Sequence, residues 1–411
     1  MIKRTIYREI VNTINNKPVT VITGARQVGK TTLCSLIEKE LGFGYVSLSD
    51  PLTASFAKND PAEFLSMHPS PCIIDEIQKA PELFEYIEGI VDANIRKGHK
   101  TGLYVLTGSQ AYKLMKGVTE SMAGRVGLIS MEPLSLSEIN EMDEIPFDVD
   151  IERIGKRCEK YMIDTNKLYE YISRGFYPEL YDNKLLNPSS FYADYVSAYL
   201  ERDVSDLINL KDKQLFVDFM TILASLTGQE LIYDNLSKEL GVDKKTIQSW
   251  ISVLVAGNII HLLQPYHENS VSKRVIKRPK VYFSDTGLAC YLARVNSPET
   301  LKSSYLKGHM VETYIINEII KSYKNNRKDA EASFYYYRTF EKDEIDLIIL
   351  HDGKLTLVEC KAGEKYDKDD IKAFDDYKKS KLKIEKNAVV CTTHIIYPIG
   401  KNCYCLPITS I

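Results

Sequence analysis

No apolar run in this 411-residue chain is long enough to cross a bilayer, so a membrane is not an expected partner. The opening stretch, MIKRTIYREIVNTINN, is polar and amphipathic and lacks the apolar core of a secretion signal. Global basicity is missing as well. Against 56 Asp and Glu stand 53 Lys and Arg, a net charge of −3, so any nucleic-acid contact must come from local patches. The eight cysteines are scattered, with Cys403 and Cys405 the nearest pair and no CxxC among them. That spacing argues against a structural zinc and fits reduced thiols in a cytoplasmic setting. The seven histidines form no HExxH group. What remains is the composition of a soluble globular protein, long enough for two or three domains.

The sharpest pattern is KPVTVITGARQVGKTTLCSLIEKEL. A β-rich run leads into GARQVGKT, which fits GxxxxGK[ST] from Gly24 to Thr31, and an amphipathic helix follows. Gly24 and Gly29 let backbone N–H groups face phosphate oxygens at a helix N-terminus. Lys30 is expected to reach the β- and γ-phosphates and Thr31 to ligate Mg²⁺. Downstream, PCIIDEIQKAPELF is a short apolar strand ending in Asp75 and Glu76. Carboxylates there sit where α/β sheets bind ligands. Asp75 is placed for the Mg²⁺ shell and Glu76 to polarise a water. A third strand, GLYVLTGSQ, ends in Thr107, Ser109 and Gln110. It is expected between the two motif strands, with Ser109 or Gln110 either sensing the γ-phosphate or serving only the turn at the strand end. Arg125 precedes a further strand. It either senses phosphate, reaches a neighbouring subunit in a homo-oligomer, or forms a surface or local ion pair. Strands near 19–23, 44–48, 72–75, 103–107 and 126–131, with helices between, imply a parallel α/β sheet.

From about 140 to 165 the text is acidic and irregular and reads as a connection. A Tyr-rich amphipathic helix follows in SSFYADYVSAYLERDVSDLINL. Near its end, Arg202 and Asp203 face the nucleotide or form a surface ion pair. Further on, Gly241 ends a helix over 233–240 and Asp243 caps another over 244–256. Strands near 258–264 and 279–284 complete a helix–turn–helix with a wing. Ile247, Trp250, Ile251, Leu254 and Val255 form its apolar face. Lys244, Lys245, Gln248 and Ser249 lie on the polar side. Lys273, Arg274, Lys277, Arg278 and Lys280 make the wing basic and suited to phosphates. The alternative is a packing module that touches no DNA.

In EIDLIILHDGKLTLVECKAG, Asp352-Gly353 predicts a two-residue hairpin turn. His351 then pairs with Lys354, Asp346 falls opposite Glu359, and Glu344 falls opposite Lys361, all on one face. Opposed acids repel unless a cation lies between them, and a divalent metal (Mg²⁺ or Mn²⁺) suits the carboxylates. Lys361 would orient or deprotonate a water, or stabilise developing charge. The alternative is an exposed hairpin with a neutralising lysine.

Together these parts resemble a large prokaryotic family with an AAA-type ATPase domain, a winged helix and a C-terminal restriction-endonuclease-like domain of unknown function. TGARQVGKTT, IIDEIQKAPELF, LTGSQ, GRVGLISMEPLSLSEI, YLERDV, YFSDTGLACYL and EIDLIILHDGKLTLVECKAG carry the resemblance. It implies a multidomain α/β fold: a P-loop domain of the type with a catalytic glutamate over 1–140 and a linker and helical bridge over 141–215. A winged helix over 216–296 and a nuclease-like domain over 297–411 complete it. It implies Lys30 and Glu76 in ATP hydrolysis and contacts to ATP from Gly24, Gly29, Lys30, Thr31, Thr32, Asp75, Ser109 and Arg125. Asp346, Glu359 and Lys361 match a D…(D/E)xK nuclease core, and Glu312 looks like the helix acid that joins such a site. The expected partners are ATP and DNA. The alternative is a nucleotide-controlled switch or scaffold that cuts nothing.

Overall fold

The run Val19–Gly24 forms β1, buried along its whole length, as a continuous apolar and β-branched segment should in a sheet covered on both faces. β2 (Gly44–Ser47), β3 (Cys72–Asp75), β4 (Tyr104–Thr107) and β5 (Val126–Met131) join it in a parallel sheet of order β2-β3-β4-β1-β5. The third strand therefore lies between the two motif strands, as expected. This computed structural model describes residues 2–108, 122, 124–200, 204, 213–267, 277–330, 333–341 and 343–411, apart from the side chains of 376, 378 and 379. Ser109, Gln110, Arg202, Asp203, Lys273 and Arg274 lie outside the described residues. Alternation sends Val19, Val21, Ile74 and Leu106 to one face of the sheet and Ile22, Ile73, Val105 and Ile129 to the other.

The segment 140–165 is not simply irregular. It contains the helix Ile151–Lys160, started by Asp150, whose side chain accepts from the backbone N–H groups of Glu152 and Arg153. Its apolar stripe is only Ile151, Ile154 and Cys158, too narrow to stand out among the charges. Arg157 of this helix donates to the Thr409 carbonyl at 2.9 Å, so the supposed connection is tied to the chain's far end.

After helices Thr165–Arg174, Glu179–Asp182 and Pro188–Tyr199 come helices Lys213–Ser225, Tyr233–Leu240 and Lys244–Ala256 with an antiparallel sheet of β6 (Gln229–Glu230), β7 (Ile260–Leu263) and β8 (Lys280–Phe283), in the order β6-β8-β7. Gly241 takes the left-handed conformation that ends one helix, and Asp243 accepts from the Thr246 N–H to start the next. Trp250 packs edge-on against Phe216 and at a tilt against Phe219, so the lone tryptophan is core. One member of the expected apolar face is misplaced: Val255 is 37% exposed and Val253 is buried in its stead.

The last part is a mixed sheet of β9 (Phe334–Arg338), β10 (Glu344–His351), β11 (Lys354–Cys360), β12 (Lys383–Ile384), β13 (Asn387–Cys391), β14 (Tyr397–Gly400) and β15 (Cys403–Pro407). Its order is β14-β15-β13-β11-β10-β9, with β12 on β11. The helix Lys307–Lys324 lies beneath it, buried from Met310 to Tyr323. One apolar cluster runs from Ile6 to Ile411 through every part of the chain. Among the described residues no helix is long and apolar enough to cross a membrane.

A backbone crossing locks the centre. Asp285 starts the helix Thr286–Leu292 by accepting from the Leu288 N–H, and it also accepts from the Phe176 N–H and the Tyr192 hydroxyl. A Cβ on Gly287 would sit 2.6 Å from the Gly175 Cα and 2.3 Å from the Tyr192 oxygen. Gly287→Ala, although better suited to a helix, is expected to destabilise the protein by about 2 kcal/mol through this clash. Denaturant midpoints at unchanged m-value would measure it, and an unaltered midpoint would mean the two backbones separate at no cost.

Candidate functional site

The glycine-rich loop leaves the C-terminal end of β1. Gly24 is needed there because any Cβ would lie 2.3 Å from the Met131 carbonyl oxygen on β5. Gly29, at φ 98°, turns the chain into the helix Lys30–Leu41, whose first turn exposes Thr31 and Thr32. Lys30 is buried, its ammonium donating to the carbonyl oxygens of Gly24 and Ala25 at 2.8 Å each. Asp75 ends β3, buried and surrounded by hydroxyl donors. Thr107 bonds one carboxylate oxygen, and Tyr45 (3.1 Å) and Ser47 (3.4 Å) bond the other. Burial and the Asp75 charge push the Tyr45 phenol up to about 12, so it remains a donor.

Glu76 follows with φ 58° and ψ 41°. A left-handed non-glycine residue costs about 1–2 kcal/mol, strain of the kind that gathers at working sites. Its N–H donates to the Thr107 hydroxyl at 3.4 Å, and its carboxylate accepts from the Gln78 amide. Thr107 thus orients Asp75 and steadies Glu76 at once, a role the sequence reading assigned to no residue. The register held the signal. Ile74 pairs with Leu106, so the next residues, Asp75 and Thr107, are neighbours.

Arg4 was also missed. Its buried guanidinium donates to the carbonyl oxygens of Val28, in the loop, and Glu132 at 2.7 Å each, and it pairs with Glu138 at 3.1 Å. It fixes the back of the loop to the segment after β5. Arg125, by contrast, lies away from the loop. Val19 pairs with Val126, so Arg125 sits at the N-terminal edge of the sheet while the loop leaves the opposite edge. There it binds Asp92 (2.7 and 3.0 Å) and Glu88 (3.1 Å), the local ion pair that was one of its expected readings.

A second site opens between the middle and last parts of the chain as a cleft of about 950 Å³. The hairpin register is the expected one, from His351–Lys354 to Leu347–Val358, around Asp352 and Gly353 at positive φ. Asp346, Glu359, Lys361 and Glu312 all line the cleft. Asp346 accepts from the Cys360 N–H at 2.9 Å, and Lys361 donates to Glu359 at 2.7 Å. Burial, then Asp346, lifts the Glu359 carboxyl well above its ordinary range. Burial lifts Glu312 to about 7, with Lys280 pulling down and Asp346 pushing up. Burial works against the Lys361 charge, but Glu359 and Asp346 outweigh it and raise its pKa. Lys361 is thus held as a cation beside Glu359.

The cluster's principal cation is a residue read from sequence as part of the basic wing. Lys280, at the start of β8, is 1% exposed and does not face phosphates. Its ammonium lies 2.9 Å from Glu312 and 3.5 Å from Asp346 and also pairs with Glu344. Burial opposes its charge, but Glu312, Asp346 and Glu344 hold its pKa well above the ordinary value. Among the described residues, no group of three or more His, Cys, Asp or Glu side chains is arranged to hold a metal ion.

Residues 16–140 match the family model of an AAA domain. Together with the strand order and loop geometry, this makes the first third an AAA-type P-loop domain. Residues 165–299 and 307–411 match two domains of unknown function, DUF8612 and DUF4143. Two uncharacterized proteins, Rv2008c of Mycobacterium tuberculosis and Mb2031c of Mycobacterium bovis, are each 25% identical over 342 residues, 83% of this chain and 69% of theirs. Among solved structures, a Walker-type ATPase of Pyrococcus abyssi is 14% identical with a TM-score of 0.42, covering 70% of this chain and 94% of that one. The Aeropyrum pernix ORC1 protein in complex with DNA is 13% identical with a TM-score of 0.28, covering 71% and 91%. Scores this low say nothing about either site.

Arg4→Met would strand the buried Glu138 carboxylate and free the Val28 carbonyl. The expected loss is about 3 kcal/mol of unfolding free energy, read from denaturant titration, with Arg4→Lys recovering part of it. A loss below about 0.5 kcal/mol would show that water replaces the guanidinium.

Proposed function

We propose that this protein is an Mg²⁺-dependent ATPase whose nucleotide state governs a DNA-directed C-terminal half. The observation that carries the ATPase reading is the joining of the P-loop's neighbours, Asp75 and Glu76, through the single hydroxyl of Thr107. In this reading Lys30 exchanges the Gly24 and Ala25 carbonyls for phosphate oxygens. The Thr31 hydroxyl and Asp75 are hard oxygen donors of the kind Mg²⁺ takes, and the ion supplies charge neutralisation on the phosphates. Glu76, steadied by Gln78 and Thr107, holds and polarises the attacking water at the strand end.

The element order of the middle part, three helices and a small antiparallel sheet, supports a winged helix. Lys244, Lys245, Gln248 and Ser249 are exposed on one side of its second long helix, a surface suited to DNA phosphates. For the last part, the convergence of Asp346, Glu359, Lys361 and Glu312 on one cleft supports a nuclease-like unit. A specific observation favours the second reading, a nucleotide-controlled switch that binds DNA or a protein without cutting. Lys280 already neutralises three of the cleft's carboxylates.

Lys30→Ala should abolish ATP turnover, and unchanged turnover would remove the P-loop assignment. Glu76→Gln should keep ATP binding while lowering kcat by about 10²–10⁴. A wild-type rate there would place the base elsewhere. For DNA, replacing Lys244 and Lys245 by Ala should weaken binding alike across sequences and reduce the slope of log K against log salt by about 2. An unchanged slope would assign the exposed helix face to another role.

A further inference from the structure

In nuclease-like sites with this carboxylate pattern a divalent cation is the expected partner of Asp346 and Glu359. The arrangement of this cleft does not suit one. Asp346 has one oxygen on the Cys360 N–H and the other facing the Lys280 ammonium. One Glu312 oxygen accepts from both Lys280 and the Tyr282 hydroxyl. Glu344 is held by Lys280 and, at 3.4 Å, by Arg338. The exception is Glu359. It is only 6% exposed, lines the cleft, and keeps one buried oxygen without a hydrogen-bond partner. The cleft thus gathers its carboxylates around a lysine, with one buried Glu359 oxygen left without a hydrogen-bond partner and an ammonium where an ion's charge would lie.

That lysine comes from a different unit. Lys280 opens β8, paired with Leu263 of β7 and Glu230 of β6, whereas all its carboxylate partners belong to the Lys307–Lys324 helix and to β10. The two units meet again nearby. Pro265, just past β7, bridges to Tyr336 of β9, and the Lys280 ammonium lies 5.6 Å from the centre of the Tyr336 ring. An ammonium seated among these oxygens repels a divalent ion at such separations and competes with it for them.

We propose that Lys280 is the built-in cation of the C-terminal carboxylate site, supplied across the boundary by β8, and that it excludes divalent metal while it is seated. The proposal rests on the nuclease-like reading only in taking Asp346 and Glu359 as latent metal ligands. Its consequence is that removing the ammonium creates a metal site, with no other residue added.

The test is Mn²⁺ titration of the full chain without nucleotide, followed by the loss of the free-ion paramagnetic resonance signal. Parallel titrations of Asp346→Asn identify the binding that belongs to this cleft. Wild type should show no Asp346-dependent binding. Lys280→Met should gain it, at least about tenfold tighter than any wild-type binding, and Lys280→Met with Asp346→Asn should lose it again. Lys280→Arg should behave as wild type. Asp346-dependent binding in the wild type, as tight as in Lys280→Met, overturns the proposal, as does its absence from a folded Lys280→Met. Should that variant fail to fold by circular dichroism, Lys280→Gln, one bond shorter than lysine and keeping a donor without charge, takes its place. Occupancy is read independently of cleavage. A gain of Mn²⁺ without nuclease activity would uphold this proposal and reject cutting, whereas cleavage by a wild type that binds Mn²⁺ through Asp346 would do the reverse.

Discussion

A buried helix that carries polar side chains is costly unless most of them meet partners, and most of the charged and amide side chains that the Lys307–Lys324 helix buries find theirs in other parts of the chain. Glu318 accepts from the Leu136 N–H at 2.7 Å and pairs with Lys321 at 2.8 Å, and Lys321 in turn donates to the Leu134 carbonyl. Lys324 binds Glu132, and the Ser322 hydroxyl accepts from the Phe147 N–H. Higher up, Asn317 donates to the Phe283 carbonyl and Thr313 meets Thr227. Then comes Glu312 with Lys280. Apolar burial would tolerate several rotations of this helix. The polar pairs accept one, and so they set how the three parts of the chain sit against each other.

The two candidate sites hang from this framework at opposite ends. Arg4 holds the P-loop to Glu132 and Glu138, the segment that the C-terminal half of the helix grips. Glu312, about 18 Å along the helix axis from Lys324, lies in the carboxylate cleft. Glu132 is common to both ends: its carbonyl accepts from Arg4 and its carboxylate from Lys324.

What could be read from sequence divides along the range of the contacts. The P-loop, the parallel strands and the hairpin register are local or periodic, and Asp352-Gly353 alone was enough to align the strands from His351–Lys354 to Leu347–Val358. The residues that were missed act across long separations. Arg4 meets Glu138, Thr107 meets Asp75, and Lys280 meets Asp346, none of them within one element. Lys280 shows the difficulty most clearly. Its neighbours in sequence make a basic run, so a solvated phosphate contact was the natural reading, yet its side chain turns inward from β8 while the described Lys277 and Arg278 are exposed. The helix Ile151–Lys160 was lost for a related reason, since its charged faces outnumber the few apolar residues that seat it. Arg125 was settled by strand direction, which motif spacing does not contain.

The bridge between Pro265 and Tyr336 has a further effect. It is made by backbone groups. Tyr336 donates to the Gln264 carbonyl at 3.0 Å, and its own carbonyl accepts from the Tyr266 N–H at 2.7 Å. These are the groups through which β9, the last strand on that side of the C-terminal sheet, would otherwise recruit a strand from another molecule. At the far side, β14 carries Pro398, which has no N–H to offer. Each border of the sheet is thus blunted, one by a neighbour and one by chemistry. Among the described residues, strand addition, the common hazard of an open mixed sheet, is hindered at Tyr336 and at Pro398.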